Sequence, residues 1–285
     1  MVLSLVHAVF MPIDLLAYPS VSAMLILSLG VPHGALDIEI IKHRRGATGL
    51  RDLSRILFSY VLLACVVLGA WFTWPSMALA IFLGLSAYHF GGDWRPKMGE
   101  ALSAVVGATL LAAPALLHRD QVTLVFSWLA PTDGATRISI ALQMAAPVLL
   151  LGSGVVALAM AVTTGWRDCD FLVLLAAAVV LPPISFFLIY FCFYHSLSHL
   201  VAARTELMTH PPRALIQAAA PYALVAIGGT LSGALLFANS HAGPQLLSAV
   251  FIALAALTVP HMALIDGTAV SRKEANCKPP LAPTG

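Results

Sequence analysis

Pro183-Ile-Ser-Phe-Phe-Leu-Ile-Tyr-Phe-Cys-Phe-Tyr-His-Ser-Leu-Ser-His-Leu-Val-Ala-Ala203 runs for 21 residues without an Asp, Glu, Lys or Arg. About 20 apolar residues is what an α-helix needs to cross the hydrocarbon core of a bilayer. Similar runs fill the chain, at about 16–41, 53–74, 76–94, 99–117, 135–163, 169–181, 183–203, 214–237 and 244–266. The 285 residues are 60% hydrophobic and 10% charged, against about 25% charged in ordinary globular domains. No room is left for a soluble domain. The expected fold is all-α, a polytopic transmembrane bundle of eight or nine helices, with residues 1–285 forming one integral membrane domain. The ninth crossing rests on 169–181, which is short and meets the next run at Pro182-Pro183, a turn or a kink. The piece at 121–130 reads as a surface or re-entrant segment, and the polar, Pro-rich 267–285 as a flexible tail.

The net charge of +2 carries no implication of nucleic acid; its distribution carries the information. With the first helix running inward, one side receives Lys42, Arg44, Arg45, Arg51, Arg55, Arg95, Lys97, Arg167, Arg204, Arg213, Arg272, Lys273 and Lys278. Only Arg119 and Arg137 fall on the other. Basic residues mark the cytoplasmic side, so the N-terminus is expected outside and the C-terminus inside a bacterial-type cell membrane. No basic stretch precedes the first apolar run, so no cleavable signal peptide is expected. Cys65, Cys169, Cys192 and Cys277 show no metal-binding spacing and read as apolar packing residues.

The quoted run also carries chemistry. His195 and His199 are four residues apart, so on a helix they share a face and can reach one ion. Three other runs each supply a histidine: Val31-Pro-His33-Gly-Ala-Leu-Asp37, Tyr88-His89-Phe-Gly-Gly-Asp93-Trp94 and Val259-Pro-His261-Met-Ala-Leu-Ile-Asp266. All four runs point inward, and each histidine precedes the next inner basic residue by five to eleven positions. At about 1.5 Å per residue, the five imidazoles share a layer roughly 8–17 Å from the inner surface. Ionisable groups at such depth are costly and usually face a functional interior. Asp37 and Asp93 follow their histidines by four residues and Asp266 follows His261 by five. On a continuous helix an i+4 carboxylate can orient its own histidine, a support that metal-bound imidazole commonly needs. A lone membrane histidine is more often a helix-to-helix hydrogen-bond partner; that reading stays open for His261, and a plain interfacial role stays open for the aspartates.

Neutral imidazoles suit Fe(II), Cu or Zn by ligand type. An apolar, membrane-embedded setting points to a lipophilic substrate and shifts the balance toward iron and O₂. A retinal-binding photoreceptor needs a lysine deep in a helix, whereas Lys42, Lys97, Lys273 and Lys278 all lie in loops or the tail. A di-iron desaturase needs about twice as many clustered histidines. The alternative of another class is an intramembrane metal-binding protein or metal transporter, whose ligands would be strung through the membrane rather than gathered in one layer.

At these motifs the chain resembles the Brp/Blh family of membrane β-carotene 15,15′-dioxygenases. The matching pieces are Gly30-Val-Pro-His33-Gly-Ala-Leu-Asp37, Tyr88-His89-Phe-Gly-Gly-Asp93, Tyr190-Phe-Cys-Phe-Tyr-His195-Ser-Leu-Ser-His199 and Pro260-His261. The resemblance implies Fe(II) held by His33, His89, His195 and His199, with Asp37, Asp93, His261 and Asp266 beside them. It implies β-carotene and O₂ as substrates, retinal as product, and a functional link to a retinal-binding rhodopsin. Phe187 and Phe191 precede His195 by eight and four residues and share its face. With Tyr88, Trp94 and Tyr194 they are the expected wall of a slot for the polyene.

Overall fold

The computed structural model describes residues 14–46, 49–207, 211–236 and 242–277, without the side chains of His33, Pro212, Leu236, Ala242 and 265–277. Among the described residues the regular structure is all helical. Ten helices carry the fold: α1 (Pro19–Arg45), α2 (Leu50–Thr73), α3 (Pro75–Gly91), α4 (Glu100–Ala112), α5 (Pro114–Ser127), α6 (Thr132–Thr163), α7 (Phe171–Val180), α8 (Pro183–Glu206), α9 (Pro212–Leu236) and α10 (Ala242–Cys277).

Proline and glycine set most of the breaks. Pro75 and Pro183 sit at the first turn of their helices, where a missing N–H costs nothing. The chain leaves α3 through a tight turn at Gly92–Trp94 and reverses at Gly99, whose φ of +79° only glycine adopts cheaply. Pro114 bends α4 against α5 by 56°. Most of the 121–130 piece lies in α5, beyond a kink at His118 (φ −121°, ψ 33°) that divides this helix.

Among the described residues six helices are long and apolar enough to cross a membrane, α1, α2, α6, α8, α9 and α10, and the bent pair α4–α5, counted as one span, is a seventh. The expected eight or nine also counted α3 and α7, which have 17 and 10 residues. Their apolar runs include turn residues, Gly92–Trp94 after α3 and Cys169 before α7, that are not in the helices. Toward the C-terminus, α10 continues past Asp266 to Cys277, while 278–285 lie outside the described residues.

The surface supports a lipid environment. On α6, Met144, Val148, Leu151, Val155, Leu158 and Val162 are all exposed at alternating steps of four and three, one apolar stripe along the helix. Phe58, Val61, Leu62 and Val66 form a similar stripe on α2. In water such patches would aggregate; against acyl chains they are the expected outer face. The inner face of α6 is small and hydroxylated instead. Ser153 meets Thr109 of α4 at 2.8 Å and Ser139 meets Thr123 of α5 at 2.6 Å, hydrogen bonds that join helices where no water competes.

Two helices depart from α geometry at facing positions. α1 is wound as a π turn over Ile26–Gly30 and as a 3-10 turn over Val31–Leu36, and α8 as a π turn over Ile189–His195. The two π turns touch: any side chain at Gly30 would overlap the Phe191 ring, and Ser196 Oγ donates to the Gly30 carbonyl at 3.4 Å. π turns inside helices often mark functional sites. Two of the four histidine motifs, that of His33 and that of His195 and His199, lie on or beside these altered stretches.

Candidate metal centre

α8 delivers two imidazoles and α3 a third. The π turn ends at His195 and regular helix resumes at Ser196, so His195 and His199 stack along one face, ring centroids 4.4 Å apart. His89 comes from the last turn of α3, and its Nε2 lies 3.1 Å from Nε2 of His195. One ligand atom from each of His89, His195 and His199 falls within 4.8 Å of the others. Two donors about 2.1 Å from a shared ion lie roughly 3.0–3.4 Å apart at right-angle to tetrahedral geometry. The donor set therefore fits a divalent transition metal with little movement.

Asp93 makes the fit chemically specific. Its carboxylate is almost fully buried and accepts from His195 Nδ1 at 3.0 Å and from the Tyr190 hydroxyl at 2.8 Å, with His199 Nε2 at 3.6 Å. A carboxylate only accepts, so the proton of His195 sits on Nδ1. Nε2 is then a bare lone pair aimed at His89, the arrangement a metal requires. His195 itself is wholly buried, between the rings of Phe90 and Phe191 at 5.1 and 5.9 Å.

The same construction appears a second time. Asp37, 1% exposed, accepts from His261 Nδ1 at 2.8 Å and from the Tyr60 hydroxyl at 3.2 Å. The His261 ring lies 5.1 Å from that of His89 and 5.8 Å from that of His199, at the edge of the cluster. With Nδ1 engaged by Asp37, Nε2 is the atom His261 can offer to a ligand.

These pairings differ from the expected i+4 geometry. Each carboxylate reaches a histidine of another helix, Asp93 to α8 and Asp37 to α10. The reason is local backbone: α3 stops at Gly91 and Asp93 sits in the following 3-10 turn, while the residues before Asp37 are wound three per turn. In either case the four-residue step no longer returns to the same face. The imidazole of His33 and the side chain of Asp266 lie outside the described residues.

An apolar cavity of about 120 Å³ runs from Leu79 and Phe126 to His89. Phe187 and Phe191, stacked 5.0 Å apart, form part of its wall. Tyr88, Trp94 and Tyr194 do not line it. Trp94 is fully buried and lies flat on Tyr194, and both donate to Asp170, the indole at 3.1 Å and the phenol at 2.9 Å. Tyr88 is partly exposed beneath the Arg95 guanidinium, 4.3 Å from the ring centre. Trp94 and Tyr194 turn toward Asp170 because each carries a polar group that needs a buried partner.

Sequence reasoning missed Tyr60, Phe90 and Asp170. Tyr60 carried a signal: a lone phenol in an apolar run needs a buried acceptor, and Asp37 needs a donor. Asp170 carried none, since the loop before a short helix gives no reason to look inward.

The described region matches a family model. Residues 24–268 fit the family described as beta-carotene 15,15'-dioxygenase. A protein of that name from the uncultured marine bacterium 66A03 is 33% identical over 257 residues, 85% of this chain and 90% of the relative. No solved structure matches.

Proposed function

The chain belongs to the beta-carotene 15,15'-dioxygenase family, and from that membership we propose that it cleaves β-carotene at the central 15,15′ double bond. One carotene and one O₂ give two molecules of retinal, so the atoms balance. The observation that carries this reading is the convergence of three imidazoles, braced by a buried carboxylate, at the end of an apolar cavity.

His89, His195 and His199 would hold Fe(II), joined by His33 as the resemblance implies. Ferrous iron supplies the redox chemistry by which O₂ reacts with a double bond. The chain's own residues do the rest. Asp93 keeps the His195 proton on Nδ1, and Tyr190 keeps Asp93 in place. Asp37 does the same for His261, which borders the site. Phe187, Phe191 and Phe90 exclude water and give the polyene flat apolar surfaces.

The membrane reading follows the same course. Arg44 and Glu206 join the inward ends of α1 and α8 through a two-pronged ion pair at 2.7 and 2.8 Å. Lys97 reaches Asp170 at 3.3 Å and Asp168 at 3.8 Å, on the loop that carries Arg167. This grouping of basic ends supports one integral domain with N-terminus outside and C-terminus cytoplasmic. α3 and α7 then complete the eight or nine crossings. Retinal released into the bilayer would be available to a retinal-binding rhodopsin.

The test is expression in a β-carotene-accumulating bacterial host beside His195→Ala, with chromatography of the extracted pigments. Loss of orange colour and retinal only with the unaltered protein is the expected result. Apocarotenals of other lengths would move the cleavage position, and no cleavage by iron-loaded protein would sink the reading.

A further inference from the structure

A second apolar chamber lies on the other side of the histidines. It holds about 410 Å³ between α1, α2, α9 and α10. The second chamber falls within the roughly 300–1,000 Å³ range of small-molecule sites, and the first, at about 120 Å³, is narrower. They share two side chains, Leu254 and Thr258 of α10. Each reaches the cluster through a different ring, His89 in the first chamber and His261 in the second, and these rings are 5.1 Å apart. Leu254, Thr258 and His261 are spaced i, i+4, i+7, so one face of α10 borders both chambers and the cluster.

The chambers differ in access. Val61 and Val225 line the second and are 58% and 75% exposed, so it opens toward lipid between α2 and α9. No side chain lining the first is exposed. In reach they are comparable. The first follows α3 from Leu79 to Phe90, about 16 Å, and the second follows α2 from Leu57 to Cys65, about 12 Å.

We propose that the two chambers are the two arms of one substrate site. A long apolar polyene enters from the bilayer between α2 and α9 and passes Leu254 and Thr258. Its leading half occupies the narrower, more deeply buried first chamber and its trailing half the second, which leaves its midpoint beside the histidines. This rests on the carotene-cleavage reading and adds the source of its regiospecificity. Neighbouring double bonds of a conjugated chain differ little in chemistry, so position is set by where the narrower arm stops the chain. A symmetric substrate with two equal halves is then cleaved in the middle.

The test fills the open arm away from the histidines. Ala64→Phe and Ala226→Phe each place a ring in the second chamber. Purified iron-loaded protein is given β-carotene or a β-apocarotenal with one half truncated, and the metal-free protein is assayed for retained pigment by absorbance. β-Carotene cleavage and pigment retention should each fall about tenfold or more, the scale of steric discrimination in an apolar pocket. The truncated substrate should be spared. Two variants guard against a folding defect in one, and each must keep the thermal midpoint of the parent. Unchanged β-carotene cleavage, or equal loss for both substrates, would overturn the two-arm site and make the second chamber a lipid pocket or product exit. If the parent protein cleaves neither substrate, the carotene-cleavage reading fails first, before any variant is read.

Discussion

Asp93 and Asp37 are braced alike and placed differently. Each is buried, accepts from a tyrosine hydroxyl and accepts from a histidine Nδ1. The Asp93 arm ends in His195, one of three imidazoles with donor atoms within 4.8 Å of one another. The Asp37 arm ends in His261, which stands at the edge and lines the second chamber. One local device therefore serves two purposes. At the centre it holds an imidazole that can serve as a metal donor, and at the edge it fixes a ring between the histidine cluster and an apolar opening.

The hardest way to break this contrast is to remove the two rings. His195→Ala should abolish retinal formation and leave little iron by elemental analysis, whereas His261→Ala should keep most of its iron. Equal loss from both would make His261 a ligand of the same standing.

Next come the carboxylates. Asp93→Asn should weaken iron binding by about 10–100-fold in chelator competition, the usual cost of losing a ligand's anionic support. Asp37→Asn should cost less than about tenfold. The reverse order would place the metal nearer His261 than His195.

The tyrosines sharpen it further. A hydrogen bond to a charged group contributes about 1.5–3 kcal/mol. Tyr190→Phe, which removes a 2.8 Å bond, should lower the thermal midpoint in detergent more than Tyr60→Phe, which removes one of 3.2 Å. Equal shifts would mean that the two carboxylates are equally dependent on their phenols.

The smallest effect on iron belongs to Phe191→Ala. It removes a ring stacked on His195 and part of the first chamber's wall. Iron content should hold while products spread to apocarotenals of other lengths. Unchanged product lengths would remove Phe191 from the wall.

Particular residues show how far the motifs were legible. His195 and His199 at i, i+4 announced a shared face, and the structure places them on one. Phe187 and Phe191 followed from the same periodicity. The i+4 argument assumes 3.6 residues per turn, whereas Asp37 and Asp93 sit at 3-10 turns and each meets a histidine of another helix. Tyr194 and Trp94 looked like slot wall by proximity to histidines, but Asp170 draws their polar atoms the other way. Aromatic identity says nothing about which way a ring faces.

Composition and run length were enough for a membrane-embedded helical bundle, since an apolar segment of about 20 residues can satisfy its backbone in lipid only as a helix. Which carboxylate braces which imidazole, and that two chambers meet at one face of α10, depend on contacts between helices far apart in the chain. Those contacts are set by close packing, such as the π turns of α1 and α8 meeting at Gly30 and Phe191, and a one-dimensional pattern has no record of them.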